Sequence, residues 1–266
     1  MIRARKQFGQ HFLEPAWVEK VIRAIAPQGG ENFIEIGPGT GALTRPLAAR
    51  ANHVTAFEID RDLAADLRAA AIPNVTVVEG DFLGAGSGFA VPGSESSLRV
   101  AGNLPYNVAS PILFKLVELY RRGVPLVDAI VMLQREVADR LVASPGSREY
   151  GVLSILIGHQ ANAEMVLKLP AGAFRPPPKV LSALVRLRFH APHPPVRDPA
   201  LFEGLVQAVF TRRRKTLANA LLAFAPAAAA TPAHLLAAAG IDGARRPETL
   251  GIEEFARLAD LVAAAA

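Results

Sequence analysis

The chain has 266 residues, of which 51% are hydrophobic and 20% charged, a composition typical of a globular protein with one large or two modest domains. It contains no cysteine, which excludes disulfides, thiolate metal sites and cysteine nucleophiles. No apolar run approaches the roughly 18 residues of a membrane span, and the basic N-terminus lacks the apolar core of a secretory signal, so we expect a soluble, cytoplasmic protein.

The apolar periodicity predicts a first helix that opens at Glu14-Pro15, followed from Phe33 by alternating strands and helices. The predicted strands are 33–36, 54–58, 75–79, 98–101, 127–133 and 182–189, and the predicted helices are 42–51, 61–71, 109–121 and 135–143. This alternation predicts an α/β fold with a parallel sheet covered on both faces, which binds ligands at the carboxyl ends of its strands. The glycine- and serine-rich stretch 84–97 is interpreted as a surface loop.

A proline-rich stretch near residue 190 predicts a boundary between two domains. We therefore expect a cofactor-binding catalytic domain at 1–190 and a smaller, all-α domain at 191–266. The alanine- and proline-rich run 225–232 is interpreted as a connector between helices of the second domain.

The stretch Phe33–Gly41 is predicted to be an apolar strand that runs into a glycine-rich turn, and such a turn lets the backbone approach a ligand closely. The next strand ends at Glu58, whose carboxylate suits the two hydroxyls of a nucleotide ribose. A dinucleotide-dependent dehydrogenase explains these residues equally well, because Gly37, Gly39 and Ala42 also fit its glycine fingerprint.

Two later features favour methyl transfer to an adenine. Asp81 follows the third strand and suits an adenine amino group, and Asn103-Leu104-Pro105-Tyr106 follows the fourth. The Asn103 side-chain oxygen and the Leu104 carbonyl could accept hydrogen bonds from the amino group of a target adenine and direct its lone pair at an electrophile. Tyr106 could stack on the extruded base. The acidic residues Glu35, Glu58 and Asp81 suit a ligand with a cationic sulfur and no phosphate.

With these motifs the chain resembles the ribosomal RNA adenine N6,N6-dimethyltransferases, most closely those of the bacterial small subunit. The resemblance spans nearly the whole chain and rests on Phe8–Leu13, Glu35–Gly41 with Leu43-Thr44, Glu58–Asp60, Gly80-Asp81, Asn103–Tyr106, Phe174–Val180 and Arg213–Leu217. The glycine turn marks any S-adenosylmethionine enzyme, whereas Asn-Leu-Pro-Tyr together with Phe-Arg-Pro-Pro-Pro-Lys is far more specific. One departure is Leu181, where the family commonly has Asp.

The resemblance implies a Rossmann-like S-adenosylmethionine-dependent methyltransferase sheet with a helical C-terminal domain. It also implies that two adjacent adenosines in a hairpin loop near the 3′ end of small-subunit RNA each receive two methyl groups, with a role in subunit biogenesis. Neither a metal nor a general base is required. The implied cofactor residues are His11, Leu13, Glu35, Gly37, Gly39, Glu58, Asp81 and Asn103, and the implied catalytic residues are Asn103, Leu104, Tyr106 and Phe174, the last stacking on the target base opposite Tyr106.

The net charge of +5 and the pI of about 9.9 are compatible with a nucleic-acid partner. The densest basic run contains Arg212, Arg213, Arg214 and Lys215, which we interpret as phosphate contacts, the alternative being a solvated helix face. Arg3, Arg5 and Lys6 form either a basic arm or a frayed terminus.

Two alternatives stay open from sequence besides the dehydrogenase. The first is an enzyme of the same reaction that acts on the large subunit, although such enzymes usually carry Ile at the position of Leu104. The second is an assembly factor that binds immature small subunits and for which catalysis is secondary. Methylation of pyrimidine C5 is excluded by the missing cysteine. We expect a monomer.

Overall fold

The computed structural model describes residues 10–84, 97–224 and 231–265. Most of the predicted loop 84–97, most of the connector 225–232 and the basic residues Arg3, Arg5 and Lys6 therefore lie outside the described residues. In the described part of the chain, no helix is long and apolar enough to cross a membrane.

The elements in chain order are β1 (Phe12–Leu13), α1 (Pro15–Ile25), β2 (Asn32–Ile36), α2 (Thr44–Ala48), β3 (His53–Glu58), α3 (Arg61–Ala69), β4 (Val75–Glu79), β5 (Leu98–Asn103), α4 (Ala109–Arg121), β6 (Leu126–Gln134), α5 (Arg135–Leu141), α6 (Val152–Gly158), β7 (Ala161–Leu169), β8 (Phe174–Arg175), β9 (Ser182–Phe189), α7 (Pro199–Thr211), α8 (Leu217–Leu221), α9 (Pro232–Ala239) and α10 (Ile252–Ala265).

Seven strands form one sheet in the order β4-β3-β2-β5-β6-β9-β7, and β1 pairs with β8 in a separate antiparallel ribbon. The first five strands of the sheet are parallel, as predicted, but β9 runs antiparallel to β6. The expectation of a wholly parallel sheet was therefore wrong. The connection from β7 to its sheet neighbour β9 runs through residues 170–181, which contain no α-helix. Neighbouring parallel strands need a crossover, usually a helix, whereas antiparallel strands do not, so the alternation of strands and helices ends before β9.

The contacts divide the chain into two compact units. The first comprises the described residues up to Ala138 together with Asn162–Phe189, and the second comprises Asp139–Ala161 together with the described residues from His190 onward. The sequence-based boundary at 190 and 191 assigned Asp139–Ala161 to the catalytic domain, whereas these residues pack with the second unit. As a division of function, that boundary stays a prediction.

Each unit has its own apolar core. In the first unit, α1 contributes Ile22 and Ile25, which are buried with Phe33 of β2. In the second unit, α7 and α10 contribute Phe202 and Phe255 to the core. A side-chain cap begins α7, because the Asp198 carboxylate accepts hydrogen bonds from the amides of the first turn.

Candidate active site

The turn after β2 requires glycine for two separate reasons. Gly37, Gly39 and Gly41 have φ angles of 69°, 58° and 79°, a region that residues with a side chain rarely adopt. In addition, a Cβ on Gly39 would lie 3.1 Å from the Phe12 ring. The turn therefore packs closely against Phe12 and exposes backbone without side chains at the carboxyl edge of the sheet.

A pocket opens at this edge and belongs wholly to the first unit. It encloses about 1160 Å³, counting its open mouth. It is lined by every residue that sequence assigned to the cofactor and by three of the four predicted catalytic residues, Asn103 belonging to both sets: His11, Leu13, Glu35, Gly37, Gly39, Glu58, Asp81, Asn103, Leu104 and Tyr106. The parallel strands bring these residues together because their carboxyl ends lie at one edge.

Glu35 is the most strongly perturbed acid in the pocket. Its side chain is fully buried at the end of β2, and burial raises its pKa from 4.5 to about 8, opposed by the neighbouring Thr44 hydroxyl and reinforced by the charge of Glu58. Its Oε2 atom has no hydrogen-bond partner among the described residues. A buried carboxyl without a partner is costly, so the pocket favours a ligand with a positive charge.

Glu58 is held in place by the backbone of two turns. Its Oε2 accepts a hydrogen bond from the Gly39 amide at 2.9 Å, and its Oε1 accepts one from the Asp60 amide at 2.9 Å. Burial raises the pKa of Glu58, and these two amides oppose the rise. Each carboxylate oxygen can accept a second bond, which leaves capacity for the hydroxyls of a ribose.

Asp81 lies directly after β4 and is more exposed than the other two acids. Its Oδ1 accepts a hydrogen bond from the Leu83 amide at 2.9 Å, which fixes the carboxylate at the mouth of the pocket. This position agrees with contact to a polar group of a bound ligand.

The amide of Asn103 has a defined orientation. Its Nδ2 donates to the carbonyl of His11 at 2.6 Å. A backbone carbonyl can only accept, so the nitrogen must face His11 and Oδ1 is the atom that remains to accept a bond from a ligand. The predicted role of Asn103, acceptance of a hydrogen bond from a target amine, requires this orientation.

Leu104 and Tyr106 of the same motif are held by other contacts. Leu104 is buried, and its amide donates to the Met132 carbonyl at 3.2 Å, which ties the motif to β6. The Tyr106 hydroxyl lies 2.7 Å from Ser182 Oγ, and the Tyr106 ring stacks on the His11 ring with the centroids 5.5 Å apart.

Comparisons with known proteins identify the family of the chain. The sequence profile of the family described as Ribosomal RNA adenine dimethylase matches residues 1–264. The chain belongs to this family. A protein of Acinetobacter baylyi named Ribosomal RNA small subunit methyltransferase A is 43% identical, with 97% of this chain and 92% of that protein aligned. Membership decides against a dehydrogenase and makes S-adenosylmethionine the cofactor of this dimethylase.

Two crystal structures share the dimethylase fold. The dimethyladenosine transferase of Plasmodium falciparum aligns with a TM-score of 0.76 at 24% identity, over 93% of this chain and 96% of its own. The 23S rRNA methyltransferase ErmE aligns with a TM-score of 0.68 at 28% identity, over 95% of this chain and 99% of its own. The expected Rossmann-like methyltransferase sheet with a helical C-terminal part is thereby confirmed.

The pocket of this dimethylase fits S-adenosylmethionine on its own chemistry. Glu35 presents a buried oxygen without a hydrogen-bond partner among the described residues, which would stabilise a nearby positive charge. Glu58 presents acceptor oxygens that backbone amides hold in place and that suit hydroxyl groups. The glycine turn places backbone without side chains next to Glu35 and Glu58. The described residues contain no group of three or more metal-ligating side chains.

The resemblance implied that His11 and Leu13 close over the cofactor, and side-chain contacts hold the segment Gln10–Glu14 that carries them. Gln10 Nε2 donates to Asp60 Oδ2 at 3.1 Å, and the His11 ring, through Nδ1, lies 2.7 Å from the Pro176 carbonyl. Next to them, Arg175 pairs with Glu14 at 2.6 Å. Sequence reasoning found His11 and Leu13 by resemblance but missed this ribbon, because strands of two residues carry no periodicity.

Phe174, the fourth predicted catalytic residue, lies outside the pocket lining. Its side chain is fully buried in the core of the first unit, opposite Leu13 in the ribbon of β1 and β8, and it does not line the pocket. Stacking of Phe174 on a target base opposite Tyr106 therefore stays a prediction, and among the described residues the ring that stacks on Tyr106 is that of His11. An apolar ring with no polar group is stabilised more by the core than by an open pocket.

The basic run lies in the turn after α7, within the second unit. The Arg213 guanidinium donates to the carbonyls of Ser147 at 3.3 Å and Arg148 at 2.7 Å, and it lies 3.8 Å from a Glu248 oxygen. Arg213 therefore serves the packing of its own unit. Arg214 and Lys215 are exposed with no such bonds described, and Arg212 is exposed but donates to the Asn219 carbonyl at 3.2 Å.

Proposed function

We propose that this chain dimethylates N6 of two adjacent adenosines in the 3′-terminal hairpin loop of small-subunit ribosomal RNA, with the immature subunit as its substrate and a role in subunit biogenesis. The observation that carries the adenine chemistry is the orientation of the Asn103 amide, which leaves Oδ1 as an acceptor in the pocket. The choice of subunit is supported by 43% identity to a protein named as a small-subunit methyltransferase.

S-adenosylmethionine supplies a methyl group on a positively charged sulfur. The exocyclic amine of adenine is a poor nucleophile because its lone pair is delocalised into the ring. When Asn103 Oδ1 and the Leu104 carbonyl accept its two N–H bonds, the nitrogen becomes more pyramidal and its lone pair becomes available. After transfer, the nitrogen loses a proton to water, so the residues of this chain need only orient the amine and exclude competing geometries.

Three carboxyls make the pocket suitable for this pair of ligands. Glu35, Glu58 and Asp81 surround a cationic donor with negative potential without adding phosphate-binding groups. We assign Glu58 to the ribose, Asp81 to the adenine amino group and Gly37 to the methionine part. Tyr106 then holds the target base by stacking, which is worth about 1–3 kcal/mol per base.

The test uses labelled S-adenosylmethionine with purified small and large subunits from cells that lack the gene, followed by nucleoside analysis of the RNA. We expect label as N6,N6-dimethyladenosine in small-subunit RNA. Label only in the large subunit would instead support the activity of ErmE, which the structural likeness makes the second candidate. Absence of label in both, with tight subunit binding, would favour the assembly factor.

A variant separates assembly from catalysis. Asn103→Ala should bind subunits but transfer little methyl. If cells that carry it mature their small subunits normally, the binding role is the main one. If maturation fails as in the deletion, methylation itself is required.

We further propose that the chain acts as a monomer in the cytoplasm and that Arg212, Arg214 and Lys215 contact RNA phosphates. These side chains are exposed and cationic within one turn of the second unit. Sedimentation of the purified protein tests the first point and cell fractionation the second. Salt dependence of subunit binding tests the third.

A further inference from the structure

A single hydrogen bond joins the catalytic motif to a strand far away in the sequence. Tyr106 follows β5, and Ser182 is the first residue of β9. Their hydroxyl oxygens are 2.7 Å apart, the usual distance for an O–H···O bond. Either oxygen can be the donor, so the bond forms whichever way the two protons point.

The sheet fixes the position of Ser182. Ser182 pairs with Gln134 at the end of β6, and the carbonyl of the preceding Leu181 accepts a bond from the Arg135 amide at 2.9 Å. Only 1% of Ser182 is exposed, whereas Leu181 is 56% exposed. The Ser182 hydroxyl is therefore a buried, immobile anchor beside a surface loop.

Tyr106, in contrast, has little backbone support. It lies in the turn between β5 and α4, and its ring is only partly buried. Among the described residues, the Ser182 hydroxyl bonds the polar end of the ring and the His11 ring stacks on one of its faces. A base that stacks on Tyr106 can displace an aromatic neighbour on the ring face, but the phenol oxygen lies at the edge of the ring, so its bond to Ser182 need not break.

We propose that Ser182 is a positioning residue for methyl transfer, which holds the Tyr106 ring in the plane on which the target adenine stacks. The proposal rests on the proposed function, because it assigns Tyr106 to the target base. Ser182 touches neither cofactor nor base; it acts through Tyr106. Burial raises the pKa of Tyr106, so the phenol stays protonated and the bond persists across neutral pH.

The bond has one more consequence. It connects the Asn103–Tyr106 motif to the end of the exposed segment that runs from Arg175 to Leu181. His11 contacts Pro176 of the same segment through Nδ1.

The experiment is a double-mutant cycle between Ser182→Ala and Tyr106→Phe, with single-turnover methylation of subunit RNA at saturating cofactor. Each variant removes the same bond, and Tyr106→Phe keeps the stacking ring. We expect each to lower the transfer rate about 3- to 10-fold, the effect of one neutral hydrogen bond, and the double variant to lose no more than either single variant. In Ser182→Ala the dissociation constants for S-adenosylmethionine and for subunits should stay within about twofold of the parent, because Ser182 acts only through Tyr106.

Thr55→Val is the matched control. Thr55 is buried in β3, and its hydroxyl has no hydrogen-bond partner in the described part of the chain. Loss of this hydroxyl removes a buried polar atom from the same sheet without touching Tyr106, so the transfer rate should not change.

Either of two kinetic results would overturn the proposal: a parental transfer rate in Ser182→Ala, or losses in the single variants that multiply in the double variant. If Ser182→Ala lowered cofactor affinity or melting temperature in proportion to its rate, Ser182 would be structural only, and the proposal would again fail. If the parent labels only large-subunit RNA, the proposed substrate fails, but the cycle is run on that RNA and still tests Ser182.

Discussion

Replacement of Glu35 by Gln should stabilise the free protein at neutral pH. In the folded state burial holds the pKa of Glu35 at about 8, whereas the unfolded chain ionises near 4.5. Between these values the folded protein carries a proton that the unfolded chain has lost, so stability falls as pH rises through this window. Each pH unit above 4.5 lowers the free energy of unfolding by about 1.36 kcal/mol, so at pH 7 the loss is about 3 kcal/mol.

Gln removes this cost because it cannot ionise. Urea unfolding of the ligand-free protein from pH 4 to pH 8 measures the effect. The parent and the Gln variant should have the same free energy of unfolding at pH 4. Above pH 5 the variant should become steadily more stable than the parent. Glu19→Gln, which alters an exposed carboxylate, is the control and should match the parent throughout. A Gln variant no more stable than the parent at pH 8 would refute the reasoning.

The same carboxyl links cofactor binding to pH. A cationic ligand beside Glu35 favours the ionised form, so binding below pH 8 should release a proton from the parent and none from the Gln variant. Calorimetry in two buffers of different ionisation enthalpy detects this release. The Gln variant should also bind S-adenosylmethionine more weakly, because it offers no charge to the cation.

Three further outcomes are expected. Asn103→Ala should lower single-turnover transfer about 100- to 1000-fold while equilibrium dialysis still detects cofactor binding. Gly102→Ala should lower the melting temperature, because its Cβ would lie 2.4 Å from the Ile36 carbonyl oxygen, and such overpacking costs about 1–3 kcal/mol. Arg214→Ala should reduce the salt dependence of subunit binding by about one phosphate contact with unchanged stability, whereas Arg213→Ala should lower stability instead.

The parallel half of the sheet could be predicted because its strands are buried on both faces and end at informative residues. Continuous apolar runs before Gly37, Glu58 and Asn103 fix both the strand and its carboxyl end. Since parallel strands end at one edge, knowledge of the strand ends is enough to assemble the pocket. The predicted lining of ten residues follows from that rule and from the family resemblance.

The edge of the sheet could not be predicted in the same way. The edge strand Ala161–Leu169 is buried only at its two end residues, is exposed or partly buried between them and contains Glu164 and Lys168, so its apolar signal is weak. The short helix Val152–Gly158 is an apolar run too brief to distinguish from a strand by pattern. Without these two elements, sequence reasoning kept Asp139–Ala161 in the first domain.

The sequence also could not show which side chains are already packed or hydrogen-bonded within the protein. Phe174 and Arg213 carry the residue types expected at a base-stacking site and a phosphate site, but each is bonded or packed within its own unit. A motif states which residue types are present, whereas burial and competing partners decide which of them remain available to a ligand. The resemblance could not reveal that Phe174 faces Leu13 and not the pocket.

The orientation of Asn103 shows why the N-terminal segment belongs to the catalytic site and not only to the cofactor cover. The two ends of an amide have nearly the same shape, so packing alone does not choose between Oδ1 and Nδ2. The His11 carbonyl makes the choice, since it can bond only the nitrogen. Without it, the amide could turn its nitrogen toward the target amine, and two donors would face each other. The bond between His11 and Asn103 therefore also sets the acceptor that the proposed transfer requires.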